Sequence, residues 1–246
     1  MDFIVFQAET VRSEFSDAIE ELLPNLKVAD GKASAAALDM IAAMKSNIDV
    51  MERVSADFNS ARKNALKNDD INKIGDYALT ILDELSNTAA NQNLQKSLLL
   101  LNRLSIPVAI WIADHGGKIN KLEIIVNAFA SYANELTDME QLAAFCDVIR
   151  KVIFSVTDEI KMDMEATNPM RPWRILNLNW GIVATRSHNA ETMEVVFNQL
   201  IKNIPVDARQ FFKEGMQQMD VIDYPEHVKV VMEKYNNLFR DEGAFH

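Results

Sequence analysis

Apolar side chains recur at steps of three and four residues along almost all of this chain, and that spacing constrains the fold more than any other feature. Phe3, Phe6, Val11, Phe15, Ala18, Ile19 and Leu22 form one stripe; Leu38, Ile41, Met44, Ile48, Met51, Phe58 and Ala65 form another. A helix advances about 100° per residue and gathers such positions on one face, whereas a half-buried strand needs strict alternation. The expected class is all-α, with antiparallel helical hairpins packed as an α-solenoid-like array or a multi-helix bundle. Composition agrees, because seven glycines and six prolines in 246 residues are few. Sandwiches and barrels need a turn roughly every 8–12 residues, and most turn chemistries draw on those two residue types.

The punctuation gives provisional boundaries. The first helix is expected to stop near Pro24, and Asp30-Gly31 marks a turn. Asp69 or Asp70 can cap a helix whose apolar face is Ile71, Ile74, Tyr77, Ala78, Ile81, Leu82 and Leu85. Another helix is expected over 94–104, and Pro107 opens a short one that closes at Gly116-Gly117. Later starts are expected near Asn120, Thr137, Arg171, Asn189, Asp207 and Pro225, with Thr137 and Glu140 reading as a capping box. The last four lie about 18 residues apart, so a helical pair recurs about every 36. That is the spacing of α-solenoid modules such as tetratricopeptide or HEAT units. The side chains do not repeat with it, so the match is one of spacing alone. The expected division is an N-terminal helical region over 1–117 and a C-terminal helical-hairpin region over 118–246, or one continuous domain. The acidic stretch 157–168 is a second place for a boundary.

Charge narrows the partners. The formal net charge is −11, and residues 1–100 hold 10 Lys+Arg against 16 Asp+Glu, so acidity is spread rather than gathered in a tail. Nucleic acid and anionic membrane surfaces call for a basic face, and neither is expected as a partner. The longest strongly apolar run, 104–113, is about ten residues, too short for a bilayer. The start of the chain lacks a positively charged segment leading into a long apolar core. A cytoplasmic location is expected, and one cysteine excludes an internal disulfide framework.

Reactive constellations are scarce. Cys146 shares a helical face with Leu142, Phe145, Ile149, Val152 and Ile153, which suits core packing rather than an activated thiolate. His115, His188, His227 and His246 show no paired ligand spacing, so no metal site is expected. His115-Gly116-Gly117-Lys118 lacks the spacing and flanking strand of a phosphate loop and reads as a helix end. No cofactor is expected, and catalysis is the weaker expectation. Met40, Met44, Met51, Met216 and Met219 read as core filling, while adjacent Phe211 and Phe212 cannot both face inward squarely.

The most informative stretch runs from Arg171 to Asn189 and contains no acidic residue. Trp173, Leu176, Trp180, Val183 and Ala184 share one face, Ile175 and Ile182 lie opposite, and Asn179 and Arg186 fall between. Such a helix, apolar on two sides, must find partners for its polar groups or line a cleft with them. Two readings compete. Arg186 and the asparagines can brace neighbouring helices, or Trp173, Arg174, Asn177, Asn179, Trp180, Arg186 and His188 can line a surface for a partner or ligand. The expected function is that of a non-catalytic interaction or scaffold protein using a groove or face near this helix. The alternative is a small-molecule-binding or enzymatic protein with a pocket around the same helix. Among partners, an unidentified protein or a second copy of the chain fits.

Overall fold

In a computed structural model of the chain, residues 5–26, 35–59, 67–162 and 165–239 are described. Phe3, Asp30-Gly31, Ala65 and His246 lie outside them. The described residues form α1 (Ala8–Asn25), α2 (Ala35–Asn59), α3 (Asn68–Asn91), α4 (Gln95–Asp114), α5 (Glu123–Glu135) and α6 (Met139–Ser155). They continue as α7 (Asp158–Lys161), α8 (Pro172–Arg186), α9 (Ala190–Asn203), α10 (Pro205–Val221) and α11 (Glu226–Leu238). No strand forms among the described residues; the nearest approach is an isolated parallel bridge between Ile119 and Val156. The molecule is all-helical, held by helix–helix packing.

The chain divides into two compact units, Met1–Tyr132 with Phe154–Thr157, and Ala133–Ile153 with Asp158–His246. In the first unit α4 packs on α1 and α3, and α2 packs on the same two helices. Glycine permits the closest of these approaches, since a Cβ on Gly75 of α3 would stand 2.3 Å from Ile112 Cγ1 of α4. Every residue of α4 from Leu104 to Ile112 is buried, the signature of a core helix enclosed on all sides. By length and composition α4 could also cross a membrane, but 61% of its most apolar window is buried within the protein.

Burial accounts for one departure from the sequence reading. Pro107 does not open a separate helix but lies inside α4. An interior proline loses a backbone hydrogen bond and crowds the preceding turn; packing against α1 and α3 on both sides keeps the rod continuous. The stop of α1 near Pro24 is as expected, since the helix ends one residue later at Asn25; the proline itself lies inside the helix. It falls in the last turn, and Glu20, whose carbonyl it leaves without a donor, is exposed so that water can substitute.

Other boundaries shift by a few residues. Asp138, not Thr137, caps α6, its Oδ1 accepting from Gln141 N at 2.9 Å. Asp70 reaches back to the Lys67 N–H from the third position of α3. Asn120 starts no helix: Asp76 holds it, accepting from its side-chain nitrogen at 2.8 Å, and α5 begins at Glu123. The close of α4 is as expected. Gly116 takes φ +74°, Gly117 N donates to Ile112 O and Gly116 N to Ala113 O, the paired bonds of a Schellman end. Leu38, Phe58 and Tyr77 are not on buried faces; they are 41%, 62% and 52% exposed.

Candidate functional site

Helix α8 is fixed at both ends by its own sequence. Pro172 occupies the first turn, where a missing N–H costs nothing. At the other end His188 takes φ +52°, a left-handed position in which histidine is one of the better-tolerated non-glycine residues. Its carbonyl accepts from His227 Nε2 at 2.8 Å, which fixes the proton on that nitrogen. The His188 ring meets Tyr224 edge-on at 5.3 Å, and burial, then the nearby His227, lowers its pKa. Asn189 next caps α9, its Oδ1 accepting from Thr192 N at 2.9 Å.

Between these ends the apolar face is as the periodicity predicts, with Trp173, Leu176, Trp180, Val183 and Ala184 all buried. The opposite side is not covered in the same way: Ile175 is half-buried and Ile182 is 48% exposed. Asn179 is also half-buried. The remaining polar side chains of the helix engage their neighbours. Arg186 donates to the carbonyls of Ala133 and Leu136 at 2.8 and 2.7 Å, capping the end of α5. Trp180 Nε1 donates to Cys146 O at 3.0 Å. Buried Asn177 donates to Trp173 O and accepts from Asn203 Nδ2 at 2.7 Å. Trp173 Nε1 makes a longer bond, 3.4 Å, to Asn203 O.

The two arginines at the start of α8 converge on one carboxylate. Arg171 Nη2 lies 2.7 Å from Asp207 Oδ2, and Arg174 Nε lies 2.6 Å from Asp207 Oδ1. Burial pushes the Asp207 carboxyl up, but the hydrogen bonds and charges of Arg174 and Arg171 outweigh it and hold the pKa below its ordinary value. In sequence, Asp207 reads only as a helix start. The helix begins two residues earlier, at Pro205, and Asp207 is the anchor between α10 and α8. A partner 36 positions away in sequence leaves no mark in a local pattern.

With Asp207 turned toward α8, the adjacent side of α10 faces a groove of about 510 Å³ shared with α11. Val206, 83% exposed, stands at its edge, Phe239 and Asn236 form the α11 side, and Arg209, Gln210 and Lys213 line the α10 side. Phe239 stacks on buried Phe212 at 5.9 Å, continuing an aromatic cluster with Phe197 and Tyr235. Phe211 takes a different setting from its neighbour Phe212. It is half-buried, and Gly181 of α8 leaves room for it, since a Cβ there would stand 2.6 Å from Phe211 Cζ.

Arg209 and Lys213 have no carboxylate partner among the described residues. That isolation is legible in sequence: neither has an acidic residue three or four positions away, and the two are like charges one turn apart, a mildly unfavourable pair on a helix.

Among the described residues around α8, Cys146 is the one thiol. Cys146 is buried, and its pKa is pushed up to about 12 by burial and by neighbouring Asp147, so the thiolate that would act as nucleophile is suppressed. Among the described residues no group of three or more His, Cys, Asp or Glu side chains is placed to hold a metal ion. No family model, no curated protein and no solved structure matches this chain.

Proposed function

We propose that this chain is a non-catalytic interaction protein that holds a protein partner in the groove between α10 and α11. The observation that carries the reading is the pairing of exposed Val206 and half-buried Phe239 with two cations, Arg209 and Lys213, that have no carboxylate partner among the described residues, in a chain of net charge −11. The matching partner segment presents an apolar side chain flanked by carboxylates. Complementary charge would steer its encounter, and the apolar contact would supply most of the affinity.

In this reading α8 is the brace rather than the contact. Its arginines, tryptophans and Asn177 hold α5, α6, α9 and α10, and a rigid support limits the entropy lost when a groove is filled. The C-terminal helices are read as a short solenoid-like stack of two hairpins, α8–α9 and α10–α11. Asp207 ties α10 to α8, while Lys234 and Tyr235 tie α11 to Glu194 of α9. Stacked hairpins of this kind expose continuous grooves. A cytoplasmic setting, with neither nucleic acid nor membrane as partner, accompanies the acidic balance.

Site-specific photo-crosslinking tests the reading. A benzophenone amino acid replacing Val206 in the full chain, expressed in its native cell, should crosslink to one dominant protein. The same group replacing Val221, 82% exposed at the far end of α10, should not. Equal, diffuse crosslinking from both positions would count against the groove. Crosslinking of Val206 to another copy of this chain would replace the heterologous partner with a homodimer.

A further inference from the structure

A second groove lies in the first unit, between α2 and α3. It measures about 420 Å³, within the range of small-ligand sites. Ala43, Val50 and Ile74 give it an apolar lining, and Ser46, Asn47, Lys73 and Tyr77 contribute polar atoms.

Asn47 is the informative residue. It is only 6% exposed, and its side-chain nitrogen donates to the Ile74 carbonyl at 3.1 Å. That bond fixes the orientation of the amide, because the flipped form would set oxygen against oxygen. The acceptor Oδ1 is consequently committed to the other side, where it is shielded from solvent and has no hydrogen-bond partner among the described residues. A buried acceptor without a donor is unfavourable, and native proteins keep few of them.

Lys73 has no carboxylate partner among the described residues, although acids lie close on the same helix. Asp70 is turned to the Lys67 N–H and Asp76 to Asn120, which leaves the ammonium available to the groove. Tyr77 adds a half-exposed ring and a phenol.

We infer that the α2–α3 groove is a binding site for a small organic acid that carries an apolar body and an N–H or O–H donor. The donor satisfies Asn47 Oδ1, the acid group pairs with Lys73, and the hydrocarbon or ring lies on Ile74, Val50 and Tyr77. The site stands independently of the α10–α11 groove and of any protein partner bound there.

The probe 8-anilinonaphthalene-1-sulfonate has all three features, an anion, a secondary amine N–H and an apolar ring system, and it reports binding by fluorescence. Titrated into the full chain, it should saturate at one site per chain. Ala43→Trp, which fills the groove, and Lys73→Glu should each weaken binding at least tenfold. Asn47→Leu should weaken it several-fold, with the near-ultraviolet circular dichroism of each variant unchanged. The double variant Arg209→Glu/Lys213→Glu should leave the titration as it is. Absence of a saturable site, or binding undiminished by both Ala43→Trp and Lys73→Glu, overturns the inference. So does binding lost only in the α10 double variant, which would move the probe to the other groove.

Discussion

The side-chain nitrogen of Asn203 donates to Asn177 Oδ1 at 2.7 Å, joining the end of α9 to the buried face of α8. Asn177 is fully buried, and its own nitrogen is committed to the Trp173 carbonyl. Asn203 in turn accepts from Gln199 Nε2 at 2.8 Å. The amides thus engage one another and the backbone within the protein, and Asn177→Ala should cost about 1–3 kcal/mol, because it strips a partner from buried groups. Urea unfolding should show the midpoint falling with an unchanged slope.

The Asp207 anchor gives a larger effect. Asp207→Ala removes the carboxylate that pairs with Arg171, whose side chain is 5% exposed, and with Arg174. The expected loss is about 3 kcal/mol, the low end for breaking a buried pair, because Asp207 itself is not fully enclosed. Its folded pKa lies below the unfolded one, so its stabilisation is complete above about pH 4 and is lost as pH falls through the folded value. Asp207→Ala should therefore lose stability at neutral pH and converge on the wild type in strong acid.

Glu14 on α1 has the opposite sign. Burial raises its pKa to about 7 despite Arg103, with Asp17 adding to the rise. The folded form keeps a proton that the unfolded chain releases, so the contribution is complete below about pH 4 and is lost as pH rises through about 7. Glu14→Gln should match the wild type at pH 4.5. At pH 8 it should melt about 1–3 °C higher, a small shift because the site is partly solvated. Scanning calorimetry at both pH values would show it.

The contact of Gly75 with Ile112 predicts a coupled pair. A Cβ on Gly75 would stand 2.3 and 2.4 Å from Ile112 Cγ1 and Cδ1. Gly75→Ala should destabilise by about 1–3 kcal/mol through overpacking. Combined with Ile112→Ala, it should be milder than the sum of the two by about 1 kcal/mol or more, measured as a double-mutant cycle in urea.

The range of an interaction decides whether the sequence displays it. The three- and four-residue rhythm is local, and it located the buried faces of α1, α3, α6 and α8, including every apolar contact residue on the tryptophan side of α8. The starts at Pro172 and Ala190 followed from cap and proline chemistry. Continuity through Pro107 did not, because the favourable packing that overrides the proline comes from α1 and α3. Ile182 and Tyr77 were misplaced for the same reason: an apolar residue on a helix is buried only if something stands opposite it. Asp207 and Asn47 act through partners on other helices, 33 to 36 and 27 positions away. Sequence alone marks Asn47 only as an amide one residue from Ile48 within an apolar stripe.

Charge reversal separates brace from contact surface. Arg209 and Lys213 are exposed and have no carboxylate partner among the described residues, so Arg209→Glu/Lys213→Glu should leave the melting temperature within about 2 °C of wild type. Affinity for a partner captured at Val206 should nonetheless fall at least tenfold, with most of the loss in the association rate. Surface plasmon resonance at two salt concentrations would resolve both.

Hydrogen–deuterium exchange of the full chain, with and without that captured partner, tests the binding surface most directly. If the α10–α11 groove holds the partner, amides over 206–213 and 236–239 slow on binding, while the exchange of α8 does not change. Protection confined to α8, or none in either helix of the groove, contradicts it.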